Sequence, residues 1–170
     1  MEKARGEEVS NYPEKRRIEH TAASATVQAS IEQCFDVGID LLAYPEWVDG
    51  LRSVAVETTD DEGRPATVRF EAEGLGRRST YRLAYDLSGA PSELAWSLVE
   101  GDLTREIEGR YAFQDITEKD GAALTEVNYE LSIDLAVPLP GFVKRRAEDK
   151  IVASALKQFK ARVESITGCD

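Results

Sequence analysis

The chain has 170 residues, 42% of them hydrophobic, which suits one domain with a substantial core. Its 32 acidic against 21 basic residues give a net charge of -11, a field that repels phosphate backbones and anionic headgroups and argues against general nucleic-acid or membrane-surface binding. No apolar run approaches the roughly 20 residues of a membrane span, and the first residues hold no apolar leader core. Cys34 and Cys169 lack any CxxC or Cys/His companion, so a cytoplasmic protein with reduced thiols, no metal and no cofactor is expected.

Residues 1–19 are charged, lack apolar periodicity and are interrupted by Pro13, the composition of a mobile tail; the domain proper is expected over residues 20–168. The stretch HTAASATVQAS, from His20, alternates weakly and is rich in Thr, Ala and Val, as a first strand of modest burial would be. Ser30 stands three residues before Gln33, a capping-box spacing that opens a helix through Ile31, Cys34, Phe35 and Val37. Gly38 is expected to end it. Pro45, in LLAYPEWVDGL, forbids an unbroken continuation, so two short helices follow the first strand.

From about Leu51 to Val137 the sequence reads as a succession of strands. A hairpin with Leu75 and Gly76 as its loop sets Phe70 opposite Tyr81, Val68 opposite Leu83 and Glu73 opposite Arg78, so apolar meets apolar and charge meets opposite charge. A second hairpin, with Gly101 and Asp102 as its loop, predicts Trp96 opposite Ile107 and Leu98 opposite Arg105. The final strand alternates Val127, Tyr129, Leu131, Ile133 and Leu135 with polar residues, which implies one wet and one dry face.

The last stretch, Pro138 to Gly168, reads as a long helix, with Pro140 in its first turn and Gly168 just past its end. Ile151, Val152, Leu156, Phe159, Val163 and Ile166 form its apolar row. In its first half Lys144, Arg145 and Glu148 occupy that stripe, and the apolar row passes instead through Val143 and Ala147. At 1.5 Å per residue such a helix is about 40 Å long, enough to cross a sheet. The layout is α+β: a seven-stranded curved antiparallel sheet, two short helices after the first strand and a long C-terminal helix.

Phe70, Tyr81, Tyr85, Trp96, Tyr111, Phe113 and Tyr129 fall on the dry face. Five of these rings carry a polar atom, which favours a partly open cavity over a solid core. Arg105 shares that face by parity, between Leu103 and Ile107, where it snorkels to water at the sheet end, pairs with a carboxylate such as Glu100 or Glu148, meets an aromatic face, or anchors a carbonyl, enolate or carboxylate of a ligand. The single histidine, His20, reads as a solvated strand-end residue. GLGRRS, at Gly74–Ser79, lies in a hairpin and opens no helix, so it is no phosphate cradle, and no HExxH or comparable metal spacing is present.

The element order, with SIEQCFDVGIDLLAYPEWVDGLRSVAV near the start and LAVPLPGFVKRRAEDKIVASALKQFKARVES at the end, resembles the START-related SRPBCC superfamily, in its polyketide cyclase/dehydrase and coenzyme Q-binding (lipid transport) branch. The resemblance implies a helix-grip fold, with Trp47, Phe70, Trp96 and Phe159 where family members line an internal cavity. It implies a protein that binds lipids, polyketides, quinones or similar apolar molecules, some relatives being cyclases or aromatases and others binding without transforming. The first reading is therefore a binding protein with Trp47, Phe70, Tyr81, Tyr85, Trp96, Arg105, Tyr111, Phe113, Tyr129 and Phe159 around the ligand, and with residues 142–148 gating the entrance. The second is a cyclase or dehydratase in which Arg105 and Tyr81 or Tyr129 polarise a carbonyl. A third is a protein-interaction module working through the acidic surface or the tail.

Overall fold

In the computed structural model, which describes residues 21–74 and 76–168, β1 (Thr21–Val27) leads into α1 (Ile31–Ile39) and a 3-10 helix (Leu41–Glu46). Six strands follow, β2 (Leu51–Thr59), β3 (Pro65–Gly74), β4 (Arg77–Asp86), β5 (Glu93–Gly101), β6 (Thr104–Asp115) and β7 (Thr125–Leu135), and then α2 (Gly141–Thr167). The expectations for the tail, His20 and Cys169 lie outside the described residues. The strands form one antiparallel sheet in the order β1-β7-β6-β5-β4-β3-β2, so every neighbour but the β1–β7 pair is a hairpin partner. The sheet curves around α2, the helix-grip arrangement.

Local chemistry explains the entry to α1. Gln33 N–H donates to Ser30 Oγ at 3.1 Å and Ser30 N–H to Gln33 Oε1 at 2.8 Å, a complete capping box. Gly38 does not end this helix, which runs to Ile39. It lets the helix pack closely on the sheet, because a Cβ there would come within 2.7 Å of Leu94 Cδ2. Tyr44, on the 3-10 helix, donates its hydroxyl to the Gly38 carbonyl at 2.6 Å and pins the two short helices together.

The β3–β4 hairpin has the register that its sequence predicts, with Val68 opposite Leu83, Phe70 opposite Tyr81 and Glu73 opposite Arg78. The β5–β6 hairpin does not. Trp96 lies opposite Gly109, two residues beyond the predicted Ile107, and the pairing stops at Ser97–Glu108. The indole is the reason. A Cβ at Gly109 would fall 2.5 Å from its ring atoms, so the tryptophan lies across the one position in β6 that has no side chain to displace it. Beyond Ser97, β5 pairs only with β4.

A second departure follows at the start of β6. Thr104 pairs with Leu135 and Glu106 with Asp134, leaving Arg105 as the extra residue of a bulge. The bulge reverses the expected parity. Thr104 turns inward and is buried, and Arg105 turns out, its side chain 62% exposed and its Nε 3.3 Å from Asp134 Oδ2.

Helix α2 takes Pro140 as its N-terminal cap, not within its first turn, and ends at Gly168, whose φ of 80° is the left-handed conformation that glycine accepts freely. Val152, Leu156, Phe159 and Val163 form the buried row, while Ile151 and Ile166, expected with them, are 41% and 58% exposed. The row extends toward the N-terminus through Glu148, not through Val143 and Ala147. Glu148 is buried because its carboxylate accepts from Thr21 Oγ1 at 2.9 Å and from Ile133 N–H at 3.2 Å, tying α2 to β1 and β7.

Candidate functional site

The sheet is wider than α2 can cover, and a cavity of about 350 Å³ remains between them. The inward rows of β3 and β4 supply Phe70, Tyr81, Leu83 and Tyr85; β5, β6 and β7 supply Trp96, Ile107, Tyr111, Tyr129 and Leu131. The 3-10 helix with the residue that follows it closes one end with Tyr44 and Trp47, and α2 contributes Ile151 and Ala155. None of residues 142–148 lines the cavity; the helix wall begins at Ile151, one turn past the segment predicted to gate it.

The rings pack against one another in two groups. Tyr111 stacks on Tyr129 and on Phe159 with centroids 4.6 Å apart, Trp96 meets Tyr111 at 5.7 Å and Tyr129 at 5.9 Å, and Phe70 stacks on Tyr81 at 5.4 Å. Of the residues predicted around a ligand, Trp47, Phe70, Tyr81, Tyr85, Trp96, Tyr111 and Tyr129 line the cavity. Phe113 and Phe159 do not. They pack against each other behind Tyr111, with Phe159 wholly buried, and belong to the core that holds the wall in place. Arg105 is also absent, because the bulge has turned it to the outer surface, where its exposed pair with Asp134 contributes little.

The polar equipment of the interior is almost entirely phenolic. Tyr44 is committed to the Gly38 carbonyl, whereas the hydroxyls of Tyr81, Tyr85, Tyr111 and Tyr129 have no hydrogen-bond partner among the described residues. Burial raises all five above the ordinary tyrosine range, Tyr81 to about 12, and for Tyr44, Tyr85, Tyr111 and Tyr129 the neighbouring phenols reinforce the effect. At neutral pH each is an un-ionised donor. Such a wall can hydrogen-bond a carbonyl or ether oxygen, but it supplies no base. Among the described residues, charged groups line the cavity only at its exposed edge, as Asp49, Glu73 and Arg77. Among the described residues no group of three His, Cys, Asp or Glu side chains is placed to hold a metal ion, and no helix is long and apolar enough to cross a membrane.

Sequence reasoning missed Thr104, which also lines the cavity; its Oγ1 is buried against Gly101 without a hydrogen-bond partner among the described residues. Nothing in the residue pattern marks the bulge that brings it inward. Val137 and Ile151 were also unforeseen as lining residues, the first in the β7–α2 connection and the second read as part of the helix's dry row.

Cys34 lies outside the cavity, buried in α1, where desolvation pushes its thiol up to about 11 despite a hydrogen bond with Thr125. The thiolate is the reactive form. In a Cys169→Ser variant, a thiol reagent at pH 7 is therefore expected to find no reactive cysteine until denaturant is added; rapid reaction in the native state would contradict this burial.

No curated protein sequence matches the chain. Several solved structures share its fold. A START superfamily protein from Mycobacterium smegmatis superposes with a TM-score of 0.76 at 21% identity, over 86% of this chain and 98% of that one. A protein from Thermus thermophilus gives 0.71 at 20% identity, over 87% and 99% of the two chains. The Zhui aromatase/cyclase from a Streptomyces species gives 0.67 at 16% identity, over 86% and 93%. At these identities the likeness is one of fold; the sequence of residues 27–160 goes further, matching the polyketide cyclase/dehydrase and lipid transport family, and the chain belongs to that family, within the START-related SRPBCC superfamily.

Proposed function

We propose that the protein binds a hydrophobic small molecule, of lipid, polyketide or quinone type, in the cavity between sheet and α2. The observation that carries this reading is a hollow of about 350 Å³ walled by aromatic rings, in which four phenol hydroxyls have no protein partner among the described residues. Affinity comes from removing apolar ligand surface from water, at about 25 cal/mol per Å². Orientation comes from the phenols of Tyr81, Tyr85, Tyr111 and Tyr129, which donate to oxygens of the guest and so satisfy hydroxyls that are otherwise costly to bury. A pure protein-interaction module has no use for such a hollow.

The family membership keeps a cyclase-type reaction as the second reading, with Tyr81 or Tyr129 polarising a carbonyl and Arg105 taking no part. The interior favours binding over turnover, since its neutral phenols donate protons into hydrogen bonds but offer no base to abstract one.

Ala155 projects from α2 into the cavity. Ala155→Trp is expected to weaken binding of a neutral apolar dye such as N-phenylnaphthylamine by about tenfold or more, since displacing some 60 Å² of buried contact costs roughly 1.5 kcal/mol, while the denaturation midpoint changes little. Protein purified from its own host should also carry a small apolar molecule in native mass spectrometry. A dye that fails to bind, or that binds equally to both forms, would rule the cavity out as the site.

A further inference from the structure

We infer that the cavity selects apolar molecules that end in an anionic oxygen group, and that Arg77 is the residue that recognises this end at the rim; the inference rests on the binding reading above. The placement of Arg77 follows from strand parity. Arg77, Ser79, Tyr81, Leu83 and Tyr85 form the inward row of β4, and all five line the cavity, Arg77 being the outermost. Its cross-strand neighbour is Gly74, so no β3 side chain stands directly opposite it, whereas Arg78, one residue on, faces Glu73.

Its electrostatic situation is unlike that of the other strand arginines. Arg52 and Arg78 pair with Glu73, Arg69 and Arg82 with Glu57, Arg105 with Asp134 and Arg110 with Glu93. Arg77 has no carboxylate within ion-pair distance among the described residues, in a chain with 32 acidic and 21 basic residues. Glu73, the nearest acid in sequence on the rim, is already held by two guanidinium groups, and the Arg78 hydrogen bond keeps its carboxyl below the usual range. Asp49 is the other rim carboxylate and opposes an anion.

Among the described residues the cavity thus has an uncharged phenolic interior and one uncommitted cation at its edge. A guanidinium there can donate two parallel hydrogen bonds to a carboxylate or phosphate while the apolar body sits among the rings. An exposed lysine-like point charge would do this less well.

The test compares lauric acid, dodecyl phosphate, dodecanol and dodecylamine, below their micellar concentrations, as displacers of N-phenylnaphthylamine. Lauric acid or dodecyl phosphate is expected to displace the dye at about five- to tenfold lower concentration than dodecanol, the size of one partly exposed charge-assisted contact. Which of the two anions is stronger identifies the head group. Arg77→Ala should abolish the preference without changing dodecanol binding, Arg78→Ala should preserve it, and Asp49→Asn should enlarge it. Equal displacement by acid and alcohol, stronger displacement by the amine, or a preference that survives in Arg77→Ala would overturn the inference while leaving the cavity reading intact. If neither the dye nor dodecanol binds at all, the cavity reading fails first.

Discussion

Replacing Phe159 with alanine is expected to destabilise the protein by about 3–5 kcal/mol, the range for deleting a fully buried aromatic side chain. Phe159 is completely inaccessible, and its ring meets Tyr111 at 4.6 Å, Trp47 at 6.0 Å and Phe113 at 6.1 Å. It therefore joins α2 to β6 and to the residue that ends the 3-10 helix. Its loss extends an existing hollow instead of collapsing one, because the neighbouring wall already borders empty space on its other side. Urea denaturation reads the effect directly. Ile166→Ala, on the exposed side of the same helix, should shift stability by no more than about 0.5 kcal/mol. Similar effects for both variants would mean that the helix is not seated as described.

Alkaline pH should unfold the protein well before its arginines discharge. A tyrosine in the unfolded chain ionises near pH 10, while burial holds Tyr44, Tyr81, Tyr85, Tyr111 and Tyr129 above that, Tyr81 at about 12. Each phenol thus holds its proton more tightly when folded. The stability this confers is whole below about pH 10 and is lost progressively as pH rises through 10 toward 12 and beyond. Because five of the six tyrosines share one wall, phenolate absorbance should rise in a single cooperative step that coincides with loss of near-ultraviolet circular dichroism. Independent, gradual ionisation near pH 10 with the fold intact would show that the phenols are in open water. Filling the cavity with a tight apolar ligand should move the step to higher pH.

The sequence made the fold legible wherever the apolar period was regular. The capping box at Ser30 and Gln33, the β3–β4 register, the β7 alternation and the glycine stop at Gly168 all rest on local rules that tertiary packing did not override. What failed did so at irregularities. Parity carries a residue to one face only while the ladder is unbroken, and the bulge at Thr104–Glu106 reversed it for Arg105. Gly109 offers no side chain for a pattern to register, and its role is to leave room for the Trp96 indole that lies across it. Glu148, with Lys144 and Arg145, gives the first half of the helix a mixed stripe in sequence, but a carboxylate with a hydroxyl and a backbone N–H waiting for it can be as buried as a valine. The aromatic wall was visible as a set of inward rings, yet spacing could not separate those that border the hollow from Phe113 and Phe159, which support it from behind.

The two tryptophans of the chain, Trp47 and Trp96, both border the hollow, on opposite partners: one just after the short helices, the other on the sheet. The protein therefore carries its own optical gauge of occupancy. Emission from these indoles depends on whether water or a guest lies beside them, and single Trp→Phe replacements separate the signal of the helical side from that of the strand side. Uptake and release can thus be timed in the unlabelled molecule.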